Sequence, residues 1–192
     1  MEETMTEIFG TLGPACAQVN ILEKMFLEGM TGMRLNLSHT GLKESEPLIG
    51  SFWKAAQRAG VNPQLLIDLQ GPEIRIGALP APLTLNESEE IIFSLKAQTL
   101  PQKTLSDLCR HEGKPFLVVT QLLASMEHSP YPTRAEVSDI FHAVMDGAAA
   151  VMVTNETAVG KYPAETIRYL KKTAQEAEKV KRKASHAALY SV

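Results

Sequence analysis

The sequence predicts an α/β fold of about five parallel βα units, with a short β-hairpin between the third and the fourth. Three observations lead there. Short apolar runs alternate with longer stretches whose apolar residues recur at helical spacing, the pattern of βα units. The runs are apolar throughout, as strands covered on both faces are. Glycines stand at the expected helix ends, where a left-handed residue closes a helix.

Glu7–Gly13 reads as a first strand ending in a glycine turn, followed by a helix with Ile21, Leu22, Met25 and Phe26 on one face and Gly29 at its end. Met30–Leu37 is a second strand. A helix over 43–59 would turn Leu48, Ile49, Phe52 and Trp53 inward, and Gly60 ends it. Leu65–Ile67 is a third strand, bounded by Pro63 and Asp68. The rhythm then breaks: Leu83–Leu85 and Ile91–Phe93 fit a hairpin, and a polar connector leads to a helix over 102–111 that Gly113 ends. Phe116–Val119 is a fourth strand. Thr133 and Glu136 make a capping box for a helix running to about Asp146. Ala148–Val153 is a fifth strand, and Pro163 starts a last helix over 163–183. The chain divides into 1–77 with three units, 78–103 with hairpin and connector, and 104–192 with two units.

The chain has 192 residues, 44% hydrophobic and 21% charged, ordinary values for a globular protein. A net charge of −3 offers no basic field for nucleic acid. The basic run Lys179–Lys183 reads as a solvated helix end, where cations suit the dipole. Cys16 and Cys109 make no disulfide framework and read as small apolar fillers. The acidic start has no apolar core of a signal peptide, and no run is long enough to cross a bilayer. The expected location is cytoplasmic, away from membranes.

In parallel βα architectures chemistry gathers at the C-terminal ends of strands. Polar residues cluster there: Arg34–His39 after the second strand, Asp68–Arg75 after the third, Thr120 and Gln121 after the fourth, Thr154–Ala158 after the fifth. Two arginines and several hard oxygen donors on one rim suit a phosphate or carboxylate ligand with a cation. The plainer alternative is that Arg34 and Arg75 pair with carboxylates such as Glu73 and Glu156.

These same segments resemble pyruvate kinase. Gly10–Ala15 is similar to that family's opening GTIGPA, and Arg34–His39 to RLNFSH. Asp68–Arg75 is similar to DTKGPEIR, and Thr120–Met126 to TQMLESM. Pro132–Asp139 reproduces PTRAEVSD, and Val151–Ala158 is similar to IMLSGETA. The resemblance implies a (β/α) TIM-barrel in which phosphoenolpyruvate and ADP react with magnesium and potassium. By resemblance Arg34, Arg75 and Thr120 are substrate-binding residues. Arg75 lies near the transferred phosphate and Thr120 lines the enolpyruvate site. Asn36, Ser38 and Asp68 correspond to potassium ligands.

Between about Phe93 and Lys103 the chain has only a connector where the family has its lid domain and mid-barrel. No segment resembles the family's ISKIEN motif, which holds the catalytic lysine and a metal-binding glutamate, or ARGDLG, which holds a metal-binding aspartate. The regulatory C-terminal domain also has no counterpart. Leu69, Gln70 and Asn155 replace a threonine, a lysine and a glycine of the family pattern. Five strands close a barrel poorly. An incomplete barrel is therefore expected, an open twisted sheet in the order fourth, fifth, first, second, third, with exposed, apolar edges. Covering them calls for a homo-oligomer or a partner chain supplying the missing half. The expected chain is inactive alone. The alternatives are a non-catalytic phosphate- and cation-binding regulatory protein, or a decayed remnant.

Overall fold

A computed structural model describes residues 5–38, 41–69, 102–119 and 121–189, without the side chains of 102–105 and 185–189. The expected hairpin, together with His39, Glu73, Arg75 and Thr120, lies outside the described residues.

Strand β1 (Glu7–Thr11) leads through a 3₁₀ turn (Pro14–Cys16) to α1 (Val19–Leu27), β2 (Gly32–Asn36), α2 (Leu42–Ala59) and β3 (Gln64–Asp68). After α3 (Gln102–His111) come β4 (Leu117–Val119), α4 (Arg134–Met145), β5 (Ala150–Met152), the short α5 (Asn155–Ala158) and α6 (Pro163–Leu189). The strands form one parallel sheet in the order β3-β2-β1-β5-β4. That is the expected order of an incomplete barrel. Strands β1, β2, β4 and β5 are a little shorter than the apolar runs that announce them, because the runs continue into buried loop residues such as Leu12 and Val153, whereas β3 extends one residue beyond its run at each end.

Helices cover one face of the sheet. Ile8, Met33, Leu35, Val151 and Val153 pack into a single core with Leu22, Met25, Phe26, Phe52, Ile140, Val144, Ile167 and Leu170. The alternate residues of the same strands point the other way. There Phe9, Ala150 and Met152 form a second, smaller cluster with Leu117 and Val119. Two faces buried against different neighbours explain strands without alternation. The sheet is curled: Leu66 and Asp68 of edge strand β3 and Leu117 and Val119 of the opposite edge strand β4 line one cavity of about 410 Å³.

Two details correct or sharpen the sequence reading. Phe52 is fully buried, but Trp53 is not inward: it is 45% exposed and leans edge-on against Phe52, with ring centroids 4.8 Å apart. Consecutive helix residues lie about 100° apart, so only one of the two can enter the core. Gly60 does end α2, with φ of 67° and its N–H donated to the Ala56 and Gln57 carbonyls, a conformation that costs glycine little.

Candidate functional site

The rim is set by strand register. Thr11 pairs with Arg34, and Asn36 with Asp68, so β1 ends beside Arg34 while the last residues of β2 and β3 stand side by side. Leu12 donates its N–H to the Arg34 carbonyl, and Leu37 to the Asp68 carbonyl, extending the ladder one step beyond the strands. Asn36 then accepts the Ser38 N–H at 2.9 Å, which folds the chain back at the strand end.

Arg34 and Asp68, expected to serve an anion and a cation respectively, hold each other. Arg34 donates Nε–H at 3.0 Å and Nη2–H at 2.5 Å to Asp68 Oδ2. The side chains are 20% and 41% exposed, so solvent screens part of this attraction. Arg34 thus pairs with a carboxylate of the cation set, and not with Glu156.

Glu156 turns out to be a structural anchor. It is 1% exposed and accepts the N–H groups of Leu123 at 3.2 Å and Thr154 at 2.7 Å, tying the loop after β5 to the loop after β4. Thr157 performs the same service for β1: its hydroxyl accepts the Thr11 N–H at 2.8 Å, while Thr11 Oγ1 donates to the Val153 carbonyl at 3.0 Å. The polar segment after the fifth strand therefore forms the short helix α5, fixed by buried hydrogen bonds. Gln121, two residues after β4, has φ of 55°, a left-handed backbone that few non-glycine residues adopt.

A cavity of about 610 Å³ opens at this end of the sheet. Thr11 to Pro14 after β1, Arg34 and Asn36 of β2, and Thr154 and Asn155 after β5 line it. The start of α2 closes it with Glu44, Ser45, Leu48 and Ser51, residues to which the sequence reading assigns no site role. A signal for them is present all the same: a helix that begins directly after a rim loop places its first turns over the site. A mostly apolar cavity with a few convergent polar groups is the usual form of a small-molecule site. Cys16 is buried, and burial pushes its thiol up to about 11, in keeping with an apolar filler.

Comparison with known proteins agrees with this architecture. The family model "Pyruvate kinase, barrel domain" matches residues 3–104 and 97–167, most of the chain. The chain belongs to the pyruvate kinase family. Among its relatives is the pyruvate kinase of Thermotoga maritima, 54% identical over 78 residues, which are 41% of this chain and 17% of that protein. The pyruvate kinase of Leishmania mexicana is 49% identical over 77 residues, 40% of this chain and 15% of the relative. Pyruvate kinase 2 of Saccharomyces cerevisiae is 48% identical over 89 residues, 46% of this chain and 17% of the relative. The matched stretches thus span under a fifth of the length of these pyruvate kinases. No helix among the described residues is long and apolar enough to cross a membrane.

Proposed function

We propose that this pyruvate kinase family chain holds a phosphate- or carboxylate-bearing ligand of the phosphoenolpyruvate class at its rim, beside a monovalent cation. Alone, it does not transfer the phosphoryl group to ADP. The observation that carries the reading is the placement of Arg34 and Asn36 in the lining of a cavity of about 610 Å³, with Asp68, the register partner of Asn36, held against Arg34. Arg34 would receive the anion, with Arg75 and Thr120 adding contacts by resemblance.

The donor set fits potassium. Asn36, Ser38 and Asp68 offer an amide, a hydroxyl and a carboxylate oxygen, hard donors suited to such a cation. Potassium would offset negative charge beside the bound anion. Magnesium is a different matter. Among the described residues no three His, Cys, Asp or Glu side chains converge, and the sequence has no segment like the family's metal-holding motifs, so no magnesium-dependent step is assigned. Phosphoryl transfer depends on positioning and on stabilising the charge of the moving group. Losing a single such electrostatic donor costs about 10²–10³ in rate, and here a lysine and two carboxylates have no counterpart.

A second reading, a non-catalytic binding or regulatory protein, is favoured by the kept rim in a chain without those motifs. Turnover would then require a partner chain that supplies the missing half of the barrel, while the exposed strand edges fit a homo-oligomer equally well. A cytoplasmic location accompanies either reading.

Titration with phosphoenolpyruvate or inorganic phosphate, followed by amide NMR shifts, tests the site. Affinity on the order of millimolar is expected, about 4 kcal/mol of binding free energy. Shifts at Arg34, Asn36 and Ser38 support the proposal. Their absence at about ten millimolar ligand, roughly ten times the expected dissociation constant, contradicts it.

A further inference from the structure

We infer that Asp68 is a built-in competitor of the anion, so that the rim is partly closed by its own carboxylate; the inference rests on the anion reading above. A guanidinium binds phosphate best through two parallel N–H groups. In this chain the Nε–H and one Nη–H of Arg34 already converge on a single oxygen, Oδ2 of Asp68. A phosphate approaching by that edge must displace the carboxylate. One approaching the two terminal nitrogens still shares Nη2 with it and meets its negative charge.

The fold gives Asp68 this position. Asn36 and Asp68 are register partners on adjacent parallel strands, and Arg34 lies two residues before Asn36 on the same face of β2. The guanidinium therefore reaches the end of β3 without leaving its strand. Arg34 is four-fifths buried, which narrows the directions from which any ligand can approach. Asp68, the more exposed of the two and the last residue of its strand, is the partner that yields when displaced. Anion binding thus exchanges one ion pair for another, and the measured affinity is that of the exchange.

The test compares phosphate binding in potassium-free buffer, where the cation role of Asp68 does not enter, followed by amide shifts, in the wild-type chain, Asp68→Asn, Asp68→Ser and the control Glu44→Gln. Glu44 lines the cavity of about 610 Å³ together with Arg34 and carries the same charge as Asp68. Each Asp68 variant should bind phosphate about three to ten times more tightly, the range set by breaking a partly exposed ion pair. Glu44→Gln should gain less than half of that. Solvent exchange of the Arg34 Nε–H should also quicken in the Asp68 variants before any phosphate is added. Two Asp68 variants of different shape keep the test valid if one misfolds. Equal affinities in wild type and Asp68 variants, an equal gain from Glu44→Gln, or unchanged Arg34 Nε–H exchange would each overturn the inference. If no rim amide responds in any of the proteins, the anion reading itself fails; shifts with unaltered affinity remove only the competition.

Discussion

At Glu156 and Arg34 the sequence offers two charged residues with similar prospects, and the structure separates them. Glu156 is buried and satisfies three donors on two loops, the N–H of Leu123 and the N–H and hydroxyl of Thr154. Glu156→Ala leaves those donors without their acceptor, and buried unsatisfied groups cost about 1–3 kcal/mol each. A loss of about 2–4 kcal/mol in urea unfolding is expected; a loss under about half a kcal/mol would mean that water replaces the carboxylate freely. Arg34 faces the cavity. Arg34→Lys should weaken phosphate binding about tenfold despite its retained charge, because lysine lacks the paired N–H groups. Titration of the variant reads this directly, and unchanged affinity would reduce Arg34 to a point charge. Gly13 is constrained by space: a Cβ there would stand 2.4 Å from the Ala158 carbonyl oxygen, so Gly13→Ala should displace α5 and lower thermal stability.

Elements with strong local signals are legible in the sequence. The capping box at Thr133 forms as expected, with Glu136 accepting the Thr133 N–H at 2.7 Å and Thr133 Oγ1 accepting the Glu136 N–H at 3.3 Å. The sequence does not reveal that Glu136 also takes the N–H and hydroxyl of Ser125, at 2.7 and 2.6 Å, from a segment eleven residues earlier. Tertiary contacts of this kind leave no periodicity to read. Short helix α5 and the exposure of Trp53 escape the sequence for the same reason: both are decided by what packs against them. Burial pushes the Glu136 carboxyl up, but hydrogen bonds from Ser125 and Thr133 outweigh it and hold the group below its ordinary 4.5. Glu28 is lowered too, chiefly by its hydrogen bond from Arg168. A carboxylate lowered in the folded state adds stability above its unfolded pKa, and that stability is lost as pH falls through the folded value. Melting temperature should therefore drop as pH falls below 4.5, and Glu136→Gln should flatten part of that drop. An unchanged acid slope in Glu136→Gln would remove Glu136 from the account.

For the whole molecule, strand order follows from the motifs, since five βα units of one barrel keep their neighbours. The degree of curling does not, because it depends on how the two edge strands meet a shared cavity. Edge strand β3 leaves Leu66 at 39% and Ile67 at 47% exposure on opposite faces. Such an edge invites pairing with another chain. Light scattering during size exclusion should give a mass above the 21.0 kDa of one chain, and a clean monomer with a cooperative melt would show the edges to be covered within the chain. On the proposed function ligand binding and turnover are separable: the rim would need Arg34 and its neighbours, while phosphoryl transfer would need groups from motifs that no segment of this sequence resembles. The most direct measurement is turnover by the purified chain with phosphoenolpyruvate, ADP, magnesium and potassium, coupled to lactate dehydrogenase. The account predicts no rate above background; a rate within about a hundredfold of a full-length pyruvate kinase, less than the loss of one or two electrostatic donors, would contradict it.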